Sequence, residues 1–245
     1  MEKNIKALIS IIVPTHNEQK NVVELHHRIS RVFQTMPYSF ELIFVDDSTD
    51  ETPAVISQIV ADHKIVTIIR LTRSFGQAIA ISAGNDIAQG SAVVMMDADL
   101  QDPPEAIPLF VSEWEKGAKV VYATRPSSGS LAYRLLAKAF YRIQSFLSDT
   151  YIAENVGEFR LIDRQVSDFI KELPEKSRYL RGQTLWPGFK SVGVNISREE
   201  RSQGQTNYNL IFSQATTDCN RIGIRIGSSN LGFGRHLYCD ESIFA

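Results

Sequence analysis

The sequence predicts an α/β protein built on a mostly parallel sheet with helices on its faces. Three observations carry this. Short apolar runs rich in β-branched residues recur along the first half of the chain, at 7–13, 40–45, 66–71, 92–96 and 119–123. Between them lie stretches of roughly 10–15 residues, several with apolar positions at helical spacing, the length a crossover between parallel strands requires. Two of the runs also stop abruptly at paired acids, Asp46-Asp47 and Asp97-Ala-Asp99, and sheets of this kind bind their ligands beyond the carboxyl ends of the strands.

Ala7–Val13 is apolar at nearly every position and is closed by Pro14, the pattern of a strand buried on both faces. Asn17-Glu18 opens a helical pattern through about Phe33, with Val22, Val23, Leu25, Ile29 and Val32 on its apolar side. Phe40–Val45 is the second strand, and Ser48, Thr49 and Asp50 offer caps for a helix over about Pro53–His63. Val66–Leu71 reads as the third strand, Gln77–Ala88 as a helix of small residues, Ala92–Met96 as the fourth strand, Pro104–Lys116 as a helix and Lys119–Ala123 as the fifth strand.

After Arg125 the character changes. Ser127–Ser130 reads as a flexible link, and Leu131–Leu147 as an amphipathic helix with Arg134, Lys138 and Arg142 on one face and Leu136, Phe140, Ile143 and Leu147 on another. A solvated basic stripe on a packed helix and a helix lying on an anionic membrane both fit that pattern. From about Cys219 to Ala245 no period is visible, and an untidy terminus is expected. The organisation expected is one domain over 1–210 and a tail over 211–245.

Composition narrows the class. Hydrophobic residues make up 43% and charged residues 22%, the balance of an ordinary globular protein. A formal net charge of −2 gives no support to coating a nucleic acid. The two cysteines, Cys219 and Cys239, form no CxxC pair, which argues against a zinc site or disulfide framework and fits a reducing cytoplasm. Met1–Lys6 runs straight into the first strand without a signal-peptide pattern, and no run approaches about 18 uninterrupted apolar residues. A soluble or peripheral protein is therefore expected.

The chemistry concentrates in Val93-Val-Met-Met-Asp-Ala-Asp-Leu-Gln-Asp-Pro-Pro104. Here a buried strand ends at alternating carboxylates, Asp97 and Asp99, with Gln101 and Asp102 within one further turn. Hard divalent cations such as Mg²⁺ and Mn²⁺ take oxygen ligands and commonly use one or two protein carboxylates plus substrate phosphates. The feature points to metal-assisted chemistry on a phosphorylated substrate; the plainer reading is a strand-end aspartate capping the next helix. Asp46-Asp47 is either an ordinary acidic turn or a carboxylate that accepts the imide N–H of a uracil or a ribose hydroxyl. Asn17-Glu18 is an N-cap with a first-turn acid, or a nucleotide contact. Arg70 and Arg73 flank the end of the third strand, where they can pair with these acids or with phosphate. The histidines at 16, 26, 27, 63 and 236 show no ligand spacing and read as packing or surface residues, with His16 placed to line the pocket.

Four segments, Pro14-Thr-His-Asn-Glu18, Val45-Asp-Asp-Ser-Thr-Asp50, Leu71-Thr-Arg-Ser-Phe-Gly76 and Asp97-Ala-Asp-Leu-Gln-Asp-Pro-Pro104, resemble the family 2 glycosyltransferases. Glu154-Asn-Val-Gly-Glu-Phe-Arg-Leu161 and Arg198-Glu-Glu-Arg-Ser-Gln-Gly-Gln-Thr206 narrow the resemblance to the polyprenyl-phosphate glycosyltransferases, which include bactoprenol glucosyltransferases and dolichol-phosphate mannose synthases. The resemblance implies a GT-A (Rossmann-like) fold with amphipathic C-terminal helices. It also implies a nucleotide-sugar donor, UDP-glucose first among the candidates, and a polyprenyl phosphate acceptor at the inner face of the cell membrane. Carried over by resemblance, Asp97, Asp99 and Gln101 hold Mg²⁺ or Mn²⁺, and Pro14, His16, Glu18, Val45, Asp47, Asp97, Ala98 and Asp99 surround the nucleotide sugar. Asp99 and Glu158 stand closest to the reaction, and Arg125, Arg160 and Arg201 contact phosphate on donor or acceptor. A homo-oligomer is a further expectation, since relatives with membrane helices often assemble.

The chain departs from the family pattern at His16, where an aromatic or hydrophobic residue is usual. It departs also at Glu158, usually aspartate, and at Asn207, lysine in many members. Bactoprenol-type members continue into membrane helices, a pattern not carried by the residues after about Asn209. A lipid phosphate, with a second pKa of about 6, is already largely anionic at neutral pH, so its attack needs no general base and Glu158 is expected to orient rather than to remove a proton. One displacement at the anomeric carbon inverts it. Transfer to a saccharide hydroxyl, with Glu158 as a true base, is an alternative, as is an inactive nucleotide-sugar-binding remnant. A nucleotidyltransferase also uses paired acids and a metal on an α/β sheet, but its glycine-rich N-terminal loop has no counterpart in Pro14-Thr-His-Asn-Glu18.

Overall fold

The computed structural model describes residues 6–124, 156–174 and 180–197. Leu131–Leu147, the residues after 197, Arg125 and Arg201 lie outside them.

Among the described residues seven strands form one sheet in the order β3-β2-β1-β4-β6-β5-β7. They are β1 Leu8–Thr15, β2 Ser39–Asp46, β3 Val66–Arg70, β4 Ala92–Met95, β5 Val120–Thr124, β6 Val156–Asp163 and β7 Ser191–Asn195. The helices are α1 Val22–Thr35, α2 Thr52–Asp62, α3 Gln77–Ile87, α4 Ile107–Glu115 (entered through a 3₁₀ turn at Pro104–Ala106), α5 Arg164–Glu172 and the short α6 Leu180–Gln183. Strands β1 to β4 are mutually parallel, and β7 runs parallel to β5.

The uniformly apolar runs have a simple cause: both faces of the sheet are covered. Ile9, Ile11, Val13, Leu42 and Phe44 point to one face and pack with Leu25 and Ile29 of α1 and Phe110 of α4. Ile12, Ile43, Val45, Val93 and Met95 point to the other and pack with Ala80 and Ile81 of α3 and Val166 and Ile170 of α5. With side chains alternating between two buried faces, no polar alternation survives in these strands.

Pro14 does not end β1, as the sequence suggested; the strand continues through Thr15 in register with Asp46. Its pairing with β4 stops earlier, at Ile12 opposite Met95, followed by a bond from Met96 N–H to the Ile12 carbonyl. The missing N–H of Pro14 therefore lies on the side where the ladder with β4 has already ended.

On α1 the apolar stripe is rotated relative to expectation. Val23 is exposed, while His26 and Phe33 are buried with Val22, Leu25, Ile29 and Val32. β6 was legible only as a motif. It is an antiparallel strand inserted between β4 and β5, pairing Val94 and Val121 with Leu161.

Candidate active site

The strand order reverses between β1 and β4. The chain moves outward from β1 through β2 to β3, then crosses back to lay β4 on the other side of β1. The connections after β1 and β4 lead away from each other, toward β2 and toward β5, with α1 and α4 on the same face; the crevice beyond the carboxyl ends of two such strands is the usual ligand position in these sheets. β1 delivers Thr15, His16 and Asn17 to this edge, β2 delivers Asp46 and Asp47, and β4 delivers Asp97 and Asp99. The antiparallel β6 pairs Arg160 with Met95, which carries its opening residues, Glu158 among them, past the end of β4 to the same edge.

The two aspartates after β2 have different fates. Asp46 is fully buried, and its Oδ1 accepts from Thr15 Oγ1 at 3.0 Å and Ser48 Oγ at 2.6 Å. Its Oδ2 makes no hydrogen bond and has only Arg70 Nε at 3.5 Å. Asp46 thus fastens the first two strand ends together. Asp47 is less deeply set, its side chain 9% exposed, with Nδ1 of His16 2.7 Å from its Oδ1. The loops around the pair are laced to each other. Asn17 N–H donates to Ser48 Oγ (2.8 Å), Asn17 Oδ1 accepts from Thr49 N–H (3.0 Å), and Glu18 N–H donates to Thr52 Oγ1 (2.9 Å). Asn17 has φ +58°, the left-handed conformation that asparagine tolerates best after glycine. Glu18 accepts from Asn21 Nδ2 at 2.6 Å, within the turn that opens α1.

On the other wall, Asp97 Oδ1 accepts from the Gln77 side-chain amide at 2.5 Å. Gln77 opens α3 after Gly76, whose φ of +88° admits glycine readily. Sequence reading missed Gln77; the one available signal was its position directly after Leu71-Thr-Arg-Ser-Phe-Gly76. Asp99 Oδ1 accepts from Gln101 N–H at 3.1 Å, and Leu100 between them has φ +61°. A leucine there costs on the order of 1 kcal/mol or more. It is held by burial of its side chain, and the result directs residues 99 and 101 to the same edge. Beyond the loop, Arg28 of α1 grips Glu105 through two bonds, at 3.0 and 2.5 Å, and anchors the 3₁₀ turn that follows. That guanidinium, chiefly by hydrogen bonding, holds the Glu105 carboxyl below its ordinary value.

Asp97, Asp99 and Gln101 offer carboxylate and amide oxygens, the donor chemistry that suits Mg²⁺ or Mn²⁺. The described residues gather no group of three or more acids, histidines or thiols able to cage an ion by themselves. A site of two carboxylates left open for phosphate oxygens fits a hard cation that arrives with its substrate, so these residues fit the group.

The remaining expectations fall unevenly. Pro14 and Glu18 are half-buried at the edge, and His16 is exposed. Val45 and Ala98 are 1% and 3% exposed, so both side chains belong to the core beneath the crevice and only their main chain reaches it. Glu158 lies 3.4 Å from Arg160 Nη2. Arg160, expected to contact phosphate, is instead 1% exposed and donates to the Gly157 carbonyl (2.9 Å), Thr184 Oγ1 (2.8 Å) and the Leu180 carbonyl (3.3 Å). A guanidinium with many donors satisfies a buried junction of β6 and α6 that no aliphatic side chain could. Arg70 is exposed beside Asp46, and Arg73 stacks on Phe75 with its guanidinium carbon 4.3 Å from the ring centroid.

Comparison with known proteins gives the family and the fold. The family model described as "Glycosyl transferase family 2" matches residues 10–170. An uncharacterised glycosyltransferase of Synechocystis is 40% identical over 204 residues, covering 82% of this chain and 64% of its own length. The bactoprenol glucosyl transferase of Shigella phage SfV is 36% identical over 204 residues, covering 82% of this chain and 66% of its own. This chain therefore spans a little under two thirds of those relatives. Among solved structures, glucosyl-3-phosphoglycerate synthase from Mycobacterium tuberculosis, in complex with Mn²⁺, UDP-glucose and phosphoglyceric acid, superposes with a TM-score of 0.59 at 18% identity, over 95% of this chain and 87% of that one. A Pyrobaculum calidifontis mannosyltransferase, in complex with GDP-mannose and Mn²⁺, gives 0.55 at 20% identity, over 81% and 58%. At those identities the two structures speak for the fold.

Proposed function

The chain belongs to glycosyl transferase family 2, and from that premise we propose that it transfers a hexose, glucose first, from a uridine nucleotide sugar to a polyprenyl phosphate at the inner face of the cell membrane. What supports the reading is that β2, β1 and β4 are adjacent parallel strands, so the His16–Asp47 pair and the loop of Asp97, Asp99 and Gln101 follow strand ends on one edge of the sheet. Relatives named bactoprenol glucosyl transferases support the lipid acceptor. Among the described residues no helix is long and apolar enough to cross a membrane, so the proposed meeting with a lipid phosphate is peripheral for this part of the chain.

Asp97, Asp99 and Gln101 would hold Mg²⁺ or Mn²⁺ against the donor pyrophosphate. Bound there, the cation offsets the charge that develops on the departing nucleoside diphosphate. The protein's own part is placement. Gln77 fixes Asp97, the Leu100 turn fixes Asp99, and the β1–β2 lacing fixes the nucleoside end, so the sugar's anomeric carbon is presented to the opening of the crevice. The phosphate oxygen of the acceptor attacks that carbon from the face opposite the leaving group and inverts it. Glu158, engaged by Arg160 at 3.4 Å, is suited to orienting groups rather than to carrying a proton, which favours a phosphate acceptor over a hydroxyl.

The test is incubation with radiolabelled UDP-glucose, polyprenyl phosphate and Mg²⁺, followed by organic extraction. Label should move into the lipid phase, and Asp99→Asn should slow that by on the order of 10²-fold. Nucleotide binding with no lipid-extractable label would leave a binding remnant and overturn the proposal.

A further inference from the structure

Resting on the donor reading above, we propose that His16 makes the nucleoside pocket selective for uracil over guanine by occupying one oxygen of Asp47. The argument begins with Asn17. Its Oδ1 accepts from the backbone N–H groups of Thr49 (3.0 Å) and Asp50 (3.3 Å), which fixes the orientation of the amide. Its NH₂ therefore faces His16 Nε2, at 3.4 Å. An amide NH₂ can only donate, so Nε2 is the acceptor nitrogen and the ring proton sits on Nδ1. That Nδ1–H points at Asp47 Oδ1, 2.7 Å away. A relay from two backbone amides through Asn17 and His16 thus commits one carboxylate oxygen.

The other oxygen is left open. Among the described residues Oδ2 of Asp47 makes no hydrogen bond, yet it is not sealed off, because the buried side-chain atoms without a partner are Asp46 Oδ2 and Gln183 Oε1. One acceptor facing the crevice suits a base with one N–H donor. Uracil offers N3–H alone, between two carbonyls. Guanine offers N1–H and N2–H side by side, and these pair with both oxygens of a free carboxylate. Against Asp47 as His16 holds it, guanine must either leave one donor unpaired or displace His16, and an unpaired polar group in a binding site is costly. Adenine presents an acceptor nitrogen at this edge and cytosine no ring N–H, so neither matches.

The experiment is calorimetric titration of the full chain with UDP and with GDP, each with Mn²⁺. The two ligands share ribose and pyrophosphate, so their affinity ratio reports the base. UDP should bind about tenfold or more tighter than GDP. His16→Phe, which cannot donate, should shrink that ratio about fivefold or more, chiefly by improving GDP, whereas His16→Gln, which keeps a donor, should retain most of it. His16 is 46% exposed, and the ratio is internal to each variant, so a general loss of stability does not imitate the result. An equal or reversed preference in the native chain, or an unchanged ratio in His16→Phe, overturns the inference; the latter would mean that Asp47 serves the ribose. If neither nucleotide binds, the donor reading falls and takes this inference with it. Lipid glucosylation by a chain whose ratio ignores His16 would sink the inference alone.

Discussion

Asp46 and Asp47 are adjacent in sequence and separated by one turn of backbone alternation. Asp46 points into the protein, where removing its carboxylate strands the hydroxyls of Thr15 and Ser48. Asp47 points to the crevice and holds a half-exposed histidine. Asp46→Ala should therefore lower unfolding stability by about 2 kcal/mol, measured by chemical denaturation. Asp47→Ala should leave stability within about 0.5 kcal/mol while weakening UDP binding about tenfold or more. The opposite pattern would exchange their roles. The acidic pair was legible in the sequence as a candidate site. The resemblance picked Asp47 of the two for the nucleotide; the burial of Asp46 against Thr15 and Ser48 was not legible, because it depends on register with β1. Arg160 teaches the same lesson in reverse: an arginine inside a family motif reads as a phosphate contact, but here its donors are taken by the carbonyls of residues 157 and 180.

At the scale of elements, the joint between α1 and α2 carries a pH dependence. His26 is buried on α1, and its ring lies 4.5 Å from that of His63 at the end of α2 and 5.8 Å from that of His27. Burial first, then repulsion from His63 and His27, lowers its pKa from 6.5. The folded state thus prefers neutral His26. Its contribution to stability is complete above pH 6.5 and is lost as pH falls from there through the lower folded value. Denaturation midpoints should accordingly drop between pH 7.5 and 5.5, and His26→Gln should flatten that drop. An unchanged slope in the variant would assign the dependence elsewhere. The histidines showed no ligand spacing in sequence, and that part was readable. The contact that gives His26 its chemistry joins residues 37 apart in the chain and could not be read from periodicity. At the far edge, Asp163 caps α5 through Gln165 N–H at 3.0 Å. Burial would raise its pKa, but bonds from Trp114, Gln165 and Lys119 outweigh it and hold the carboxyl low. One residue therefore ties β6, α4 and β5 together.

Across the whole molecule, the proposed site depends on how closely α3 lies on the sheet, since α3 begins at Gln77, which donates to Asp97. Gly84 makes that approach. A Cβ there would sit 2.5 Å from Ile12 Cγ2 and 3.1 Å from Val45 Cγ2, both core atoms with little room to move. Gly84→Ala should cost about 1–3 kcal/mol in thermal or chemical unfolding, and the displaced helix should weaken Mn²⁺–UDP binding as well. Full stability in that variant would show that α3 can lift without consequence.

Local chemistry determined much by itself. Runs without polar alternation announced strands covered on both faces, helical spacing between them announced parallel crossovers, and acids at the run ends marked the carboxyl edge as the candidate site. Each of these signals sits within one contiguous segment. What tertiary structure decided is everything that needs two segments at once. It inserted β6 antiparallel between β4 and β5, although its own residues mix glycine and charge, because only the neighbouring ladders make it a strand. It turned Val23 out and His26 in, placed Gln77 against Asp97, and set His16 on one oxygen of Asp47. Hydrogen bonds and burial are properties of pairs, and a chain's order states the members of a pair without stating their meeting.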